Sequence, residues 1–172
     1  MDAPEFSRPY RRDEIGAVPL AFELTATADE CAALAKRFDL IAIDALSGTG
    51  HVLVRDKALI AEGQMSARVT QACVVTGDAV RAALAEPFKI RFIDETVAPE
   101  NAEIELSFDE YDDMPVTGET VDLGEAIAQS MVLALPPFPR GPNAARILRE
   151  AGVVAEGEET RGAFAALKDL LK

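Results

Sequence analysis

Leu59-Ile60-Ala61-Glu62-Gly63-Gln64-Met65-Ser66-Ala67-Arg68-Val69-Thr70-Gln71-Ala72-Cys73 is the stretch that decides the fold. Glu62, Gln64, Ser66, Arg68 and Thr70 fall on one face, and Ala61, Met65, Ala67 and Val69 on the other. A period of two sustained this long is a β-strand with one buried side. Gly63, inside the run, marks a bulge or a bend.

Other strands read outward from it. Upstream, Leu20, Phe22 and Leu24 alternate with Glu23 and Thr25 over Val18–Ala26. Leu40–Leu46 reads as a strand, Ser47-Gly48-Thr49-Gly50 as a turn, and His51–Arg55 as the returning strand. Asp56-Lys57 makes a second tight turn. Downstream, Phe88, Ile90 and Phe92 alternate with Lys89 and Arg91, and Ile104, Leu106 and Phe108 alternate with acids. The connections are short, which favours antiparallel pairing.

Two helices punctuate the strands. Thr27-Ala28-Asp29-Glu30 is a capping box, followed by Cys31, Leu34, Ala35 and Phe38 on one helical face. Asp122 opens the second helix, with Glu125 three residues on and Leu123, Ile127, Met131 and Ala134 on its buried face. Pro136-Pro137 ends it. Residues 143–151 form a short helix, and Phe164, Leu167 and Leu171 a small amphipathic one at the end. The expected fold class is α+β, a bent antiparallel sheet with two main packed helices and a small C-terminal helix. A partly closed barrel is compatible with the long strands and Gly63. The domain expected is 1–142, opening with an arm over residues 1–17, followed by a helical tail at 143–172.

Charge bounds the function. The net charge is −13, and from Phe92 to Pro139 there are twelve Asp or Glu residues and no Lys or Arg. Such a surface repels phosphate backbones and attracts basic protein segments within a Debye length of ~8 Å. Asp109, Glu110, Asp112 and Asp113 are the expected contacts to a basic partner. Arg8, Arg11 and Arg12, in the opening arm, are the candidates for RNA phosphates. Two cysteines, Cys31 and Cys73, make no disulfide framework. Met1-Asp2-Ala3-Pro4-Glu5 lacks the pattern of a signal peptide, and no run reaches the ~20 apolar residues of a membrane span. A cytoplasmic location is expected.

Catalytic patterns are weak throughout. His51 is the only histidine and has no motif-placed Ser or Cys beside it. The Ser47–Gly50 glycines lack the Lys-Ser/Thr pair and the following helix of a phosphate loop. The 109–113 acids lack the glycine and closing Glu of the helix–loop–helix calcium pattern. Two Cys and one His leave a tetrahedral zinc site short of ligands. Pro136-Pro137-Phe138-Pro139 has a P-x-x-P spacing, for which helix termination suffices. Both cysteines read as inert core. No cofactor or metal is expected.

Two segments together carry a resemblance. Gln71-Ala72-Cys73-Val74-Val75-Thr76-Gly77-Asp78-Ala79-Val80 follows the long strand. Val121-Asp122-Leu123-Gly124-Glu125, with Leu133-Ala134-Leu135-Pro136-Pro137-Phe138-Pro139-Arg140, follows the acidic stretch. This order resembles the YceD family of large-ribosomal-RNA-subunit accumulation proteins over residues 5–145. Phe6-Ser7-Arg8-Pro9 and the helix Cys31–Phe38 are similar to its α-proteobacterial branch. Many members carry C-x-x-C followed by Leu-Glu-Pro. Here Thr76 stands in place of the second Cys and Gly77-Asp78-Ala79 follows, which removes any paired-thiolate reading. The resemblance implies a role in large ribosomal RNA accumulation without known enzymatic activity, and brings no catalytic residues. The function expected is a non-enzymatic factor in large-subunit biogenesis that binds a basic ribosomal protein or assembly precursor. The alternatives are a metal-dependent RNA-processing enzyme and a small-molecule-binding barrel.

Overall fold

A computed structural model describes residues 5–94 and 111–153. In chain order the elements are β1 (Pro9–Arg11), a 3-10 turn (Arg12–Glu14), β2 (Leu20–Thr25), α1 (Ala28–Arg37), β3 (Ala42–Arg55), β4 (Ala58–Ala72), β5 (Ala79–Asp94), β6 (Asp112–Val116), β7 (Thr120–Asp122), α2 (Leu123–Ala134) and α3 (Ala144–Glu150). Contacts divide the chain into two compact units. The larger joins the residues up to Gln71 with Arg81–Pro137; the smaller joins Ala72–Val80 with the segment beginning at Phe138.

The α+β class read from the sequence is the one observed. A five-stranded sheet runs in the order β2-β3-β4-β5-β6, and β1 pairs with β7 in a separate two-stranded ribbon. The alternating run becomes β4, with Leu59, Ala61, Met65, Ala67 and Val69 buried. Burial of such side chains, at ~25 cal/mol per Å² of apolar surface, is what holds a strand of this pattern in one register. Asp56 and Lys57 have φ of 51° and 67°, the two positive values of a type I′ hairpin between β3 and β4.

Three strand expectations are corrected. The Ser47–Gly50 turn does not exist; the chain continues straight through it as β3. Gly48 is there because Ile127 of α2 fills the space a Cβ would need. Gly50 stands directly opposite Gly63, and Phe22 and Phe88 stack with ring centroids 6.2 Å apart near this pair of bare backbones. Glycine's turn preference thus yields to close approach. Second, the Phe88–Phe92 strand is only the end of β5, which begins at Ala79. Third, the sheet is mixed. β2 and β4 run antiparallel to β3, but β6 is parallel to β5, with Ile90 beside Asp112. The connection between them exceeds the dozen residues that a parallel crossover requires. The described sheet is open, with β2 and β6 at its edges. The strand expected at 104–108 and the helix at 164–171 lie outside the described residues.

Both main helices begin as expected. Glu30 N–H donates to Thr27 Oγ1 (3.3 Å) and Thr27 N–H to Glu30 Oε2 (2.7 Å), a complete capping box. Cys31, Leu34 and Ala35 of α1 and Leu123, Ala126, Ile127 and Met131 of α2 enter one core with Leu46, Met65 and Val69. The described part of the arm is packed onto the larger unit. Phe6 is fully buried in this core, and its carbonyl occupies the place of a Cβ at Gly124. Only glycine lets the arm's backbone lie so close to the start of α2.

In the smaller unit, Cys73 opens a turn in which Gly77 N–H donates to the Cys73 carbonyl (2.9 Å) and Cys73 N–H to the Asp78 carbonyl (2.8 Å). Gly77 takes a φ of 75° there. The short helix expected at 143–151 is α3, with Ala144 buried.

Candidate functional site

The arm places its three arginines against carboxylates. Arg8 forms a bidentate pair with Glu30 (2.7 and 3.0 Å) and lies 4.7 Å from the Phe6 ring centroid. Arg11 is paired with Asp13 (3.0 and 2.6 Å). Arg12 bonds Asp94 (2.8 Å) and the Gly118 carbonyl (3.0 Å). A guanidinium in such a fork reaches a phosphate only by leaving its carboxylate. Of the three pairs, Arg11–Asp13 is the most exposed.

The acidic quartet is divided as well. Asp109 and Glu110 lie outside the described residues. Asp113 is held by Arg91 on the neighbouring strand β5 (2.7 and 3.0 Å). Asp112, the first residue of β6, is exposed.

Composition alone does not reveal the charge cluster under α2. Arg37, near the end of α1, grips Glu125 with two bonds (2.8 and 2.6 Å) and Glu5 with a third (3.0 Å). Gln129 adds a bond to Glu125 (2.8 Å). Glu125 is buried, yet Arg37 holds its carboxyl below the usual range against the opposing effect of burial. The visible signal was Glu125 in the first turn of a capped helix; its partner lies 88 residues away.

Glu30 is the more strongly shifted carboxyl. Its hydrogen bond from Arg8 lowers it from 4.5 to about 2. A depressed folded-state value gives stability that is present above 4.5 and is lost as pH falls toward about 2. In urea unfolding, Glu30→Gln should therefore be less stable than the parent at neutral pH and converge on it in acid. A gap that stays constant over that window would rule out this pair as its source.

His51 lies in mid-strand and not at a turn. Its Nε2 is 3.6 Å from Glu62 Oε2. Glu62 Oε1 accepts from Arg55 and from Tyr111 Oη, each at 2.9 Å. Burial opposes ionisation of Glu62, but the bonds from Tyr111 and Arg55 outweigh it and keep its carboxyl low. This cluster ties β3 and β4 to Tyr111, and among the described residues its bonded members are His51, Arg55, Glu62 and Tyr111, with no Ser or Cys.

The two thiols differ in their surroundings. Burial raises the Cys31 thiol. Cys73 is also buried, but its Sγ accepts the Gly141 N–H at 3.3 Å. That bond first, then the Thr76 hydroxyl, brings its thiol from 9.0 down to about 7. Val74 N–H donates to the Pro139 carbonyl (3.0 Å) beside it, so Sγ is one of two pins on the Pro139–Gly141 segment. A serine hydroxyl here finds a donor, so Cys73→Ser is milder than an apolar strand context implies. Thiolate absorbance, with Cys73→Ala as blank, should show a midpoint near 7. A midpoint at the ordinary thiol value would mean that the Gly141 contact does not polarise the sulfur.

Among the described residues, no group of three or more His, Cys, Asp or Glu is gathered to hold a metal. No described helix is long and apolar enough to cross a membrane. Fold and surface together define an acidic α+β protein in which Arg8, Arg11 and Arg12 of the arm are paired with its own carboxylates. Residues 61–171, well over half of the chain, match the family model described as large ribosomal RNA subunit accumulation protein YceD, and the chain belongs to that family. The family's description places the chain in ribosome biogenesis, in the accumulation of large-subunit ribosomal RNA. No curated protein and no solved structure matches it.

Proposed function

We propose that this protein is a non-enzymatic factor that supports accumulation of large-subunit ribosomal RNA by binding a basic ribosomal protein or assembly precursor. Family membership supports the ribosomal half of this reading. The single observation that carries the partner's sign is the charge: −13 overall, with no Lys or Arg between Phe92 and Pro139. Ribosomal proteins that must be kept from RNA before assembly are basic, and an acidic surface steers such partners while repelling nucleic acid. The intramolecular pairs of Arg8, Arg11 and Arg12 make RNA a secondary contact in this reading.

Capture with the tagged protein tests it, with proteins and RNA both identified. Basic large-subunit proteins or their precursor particle should be retained at low salt and released at high salt. Loss of the gene should lower large-subunit RNA relative to small-subunit RNA. Capture of RNA without protein, or an unchanged RNA ratio across growth temperatures, would count decisively against the proposal.

A further inference from the structure

Met65, Phe88 and the last turn of α2 frame a groove of about 300 Å³ in the larger unit. Met65 and Phe88 are buried at its floor, while Leu133 on its rim is 74% exposed. Leu133 thus adds exposed apolar surface to the groove's edge, where a partner's apolar side chain could rest.

The groove's charge is one-sided. Glu86 of β5 and Asp112 of β6 line it. Neither has an ion-pair partner among the described residues, although Asp113, one residue on, is gripped by Arg91. The third negative source is α2 itself, whose last turn contains no basic residue and is followed by Pro136 and Pro137. Leu135 N–H donates to the Val132 carbonyl (3.2 Å), but Pro136 and Pro137 have no N–H to offer the carbonyls that follow, so the negative end of the helix dipole is only partly compensated where Leu133 and Ala134 reach the groove. Because Asp112 stands beside Ile90 in the parallel register, Glu86 lies four residues back along β5. The two carboxylates sit on backbone positions roughly 13 Å apart.

We propose that this groove docks a basic protein segment in which an apolar residue, seated on Phe88 and Leu133, is flanked by Lys or Arg side chains paired with Glu86 and Asp112. Basic side chains also lay their methylene stems along apolar walls, which suits this mixed lining. The proposal rests on the reading of the partner as a basic protein, and adds where that partner is held. A phosphate backbone meets only negative groups here.

The test uses the full chain and fluorescein-labelled peptides tiled across the basic extensions of large-subunit ribosomal proteins, read by polarisation. Glu86→Lys with Asp112→Lys should weaken the retained peptides at least about tenfold, and Leu133→Ser at least about threefold. Glu23→Lys, made together with Asp44→Lys so that the change of four charges is matched at exposed positions of β2 and β3, should have a much smaller effect. Circular dichroism checks the fold, and Glu86→Gln with Asp112→Asn replaces the reversal if it perturbs the strands. If the groove variants bind as Glu23→Lys with Asp44→Lys does, the groove is overturned and the basic-partner reading stands. If the parent protein retains neither peptides nor precursor subunit, or retains labelled RNA alone, both fall.

Discussion

Gly50→Ala is expected to destabilise the protein by about 3 kcal/mol or more, as overpacking does when backbone itself must move. The added methyl would collide with the Glu62 carbonyl oxygen on β4 and come within 2.9 Å of Gly63 Cα. Those atoms belong to the adjacent strand, so no side-chain rotation relieves the clash. Either the ladder between β3 and β4 opens or the strands splay, and Phe22 and Phe88 lose their stack near the glycine pair. Gly16→Ala is the control, since a Cβ there meets nothing within 4 Å. Urea midpoints of the two variants measure the difference. If they coincide, the close approach of β3 to β4 at Gly50 is wrong.

Asp122→Ala is expected to cost about 3 kcal/mol, combining a lost helix cap with orphaned donors. Asp122 Oδ1 accepts from Glu125 N–H (3.1 Å) and from Arg8 N–H (2.7 Å), and Oδ2 from the Ser7 hydroxyl (2.5 Å). One carboxylate therefore both starts α2 and fastens the arm that delivers Phe6 to the core. Asp122→Asn keeps the Oδ1 acceptor and should cost about 1 kcal/mol. Amide exchange at residues 6–8 should accelerate in the alanine variant more than in the asparagine variant. Equal stability of Asp122→Ala and the parent would show that the arm is held without this side chain.

The sequence by itself determined what depends on neighbours a few residues apart. The period of two in Leu59–Cys73 specified β4 and its buried face, because one face alone could be removed from water. Thr27 and Glu30 specified the start of α1, because the cap closes within one turn. The pattern after Asp122 specified α2, Asp56-Lys57 the hairpin, and composition the net negative charge. Tertiary structure alone decided the rest. Glycine at 48 and 50 is equally suited to a turn and to a crowded strand, and only Ile127 and Gly63 settled which. The direction of β6 followed from a long crossover that has no local signal. Arginines that look free for phosphate in a list of residues are paired once folding brings Glu30 and Asp94 to them. Cys73 likewise meets Gly141 across 68 residues. In each case the deciding partner is far along the chain, and a pairwise interaction of that kind leaves no period or motif to read.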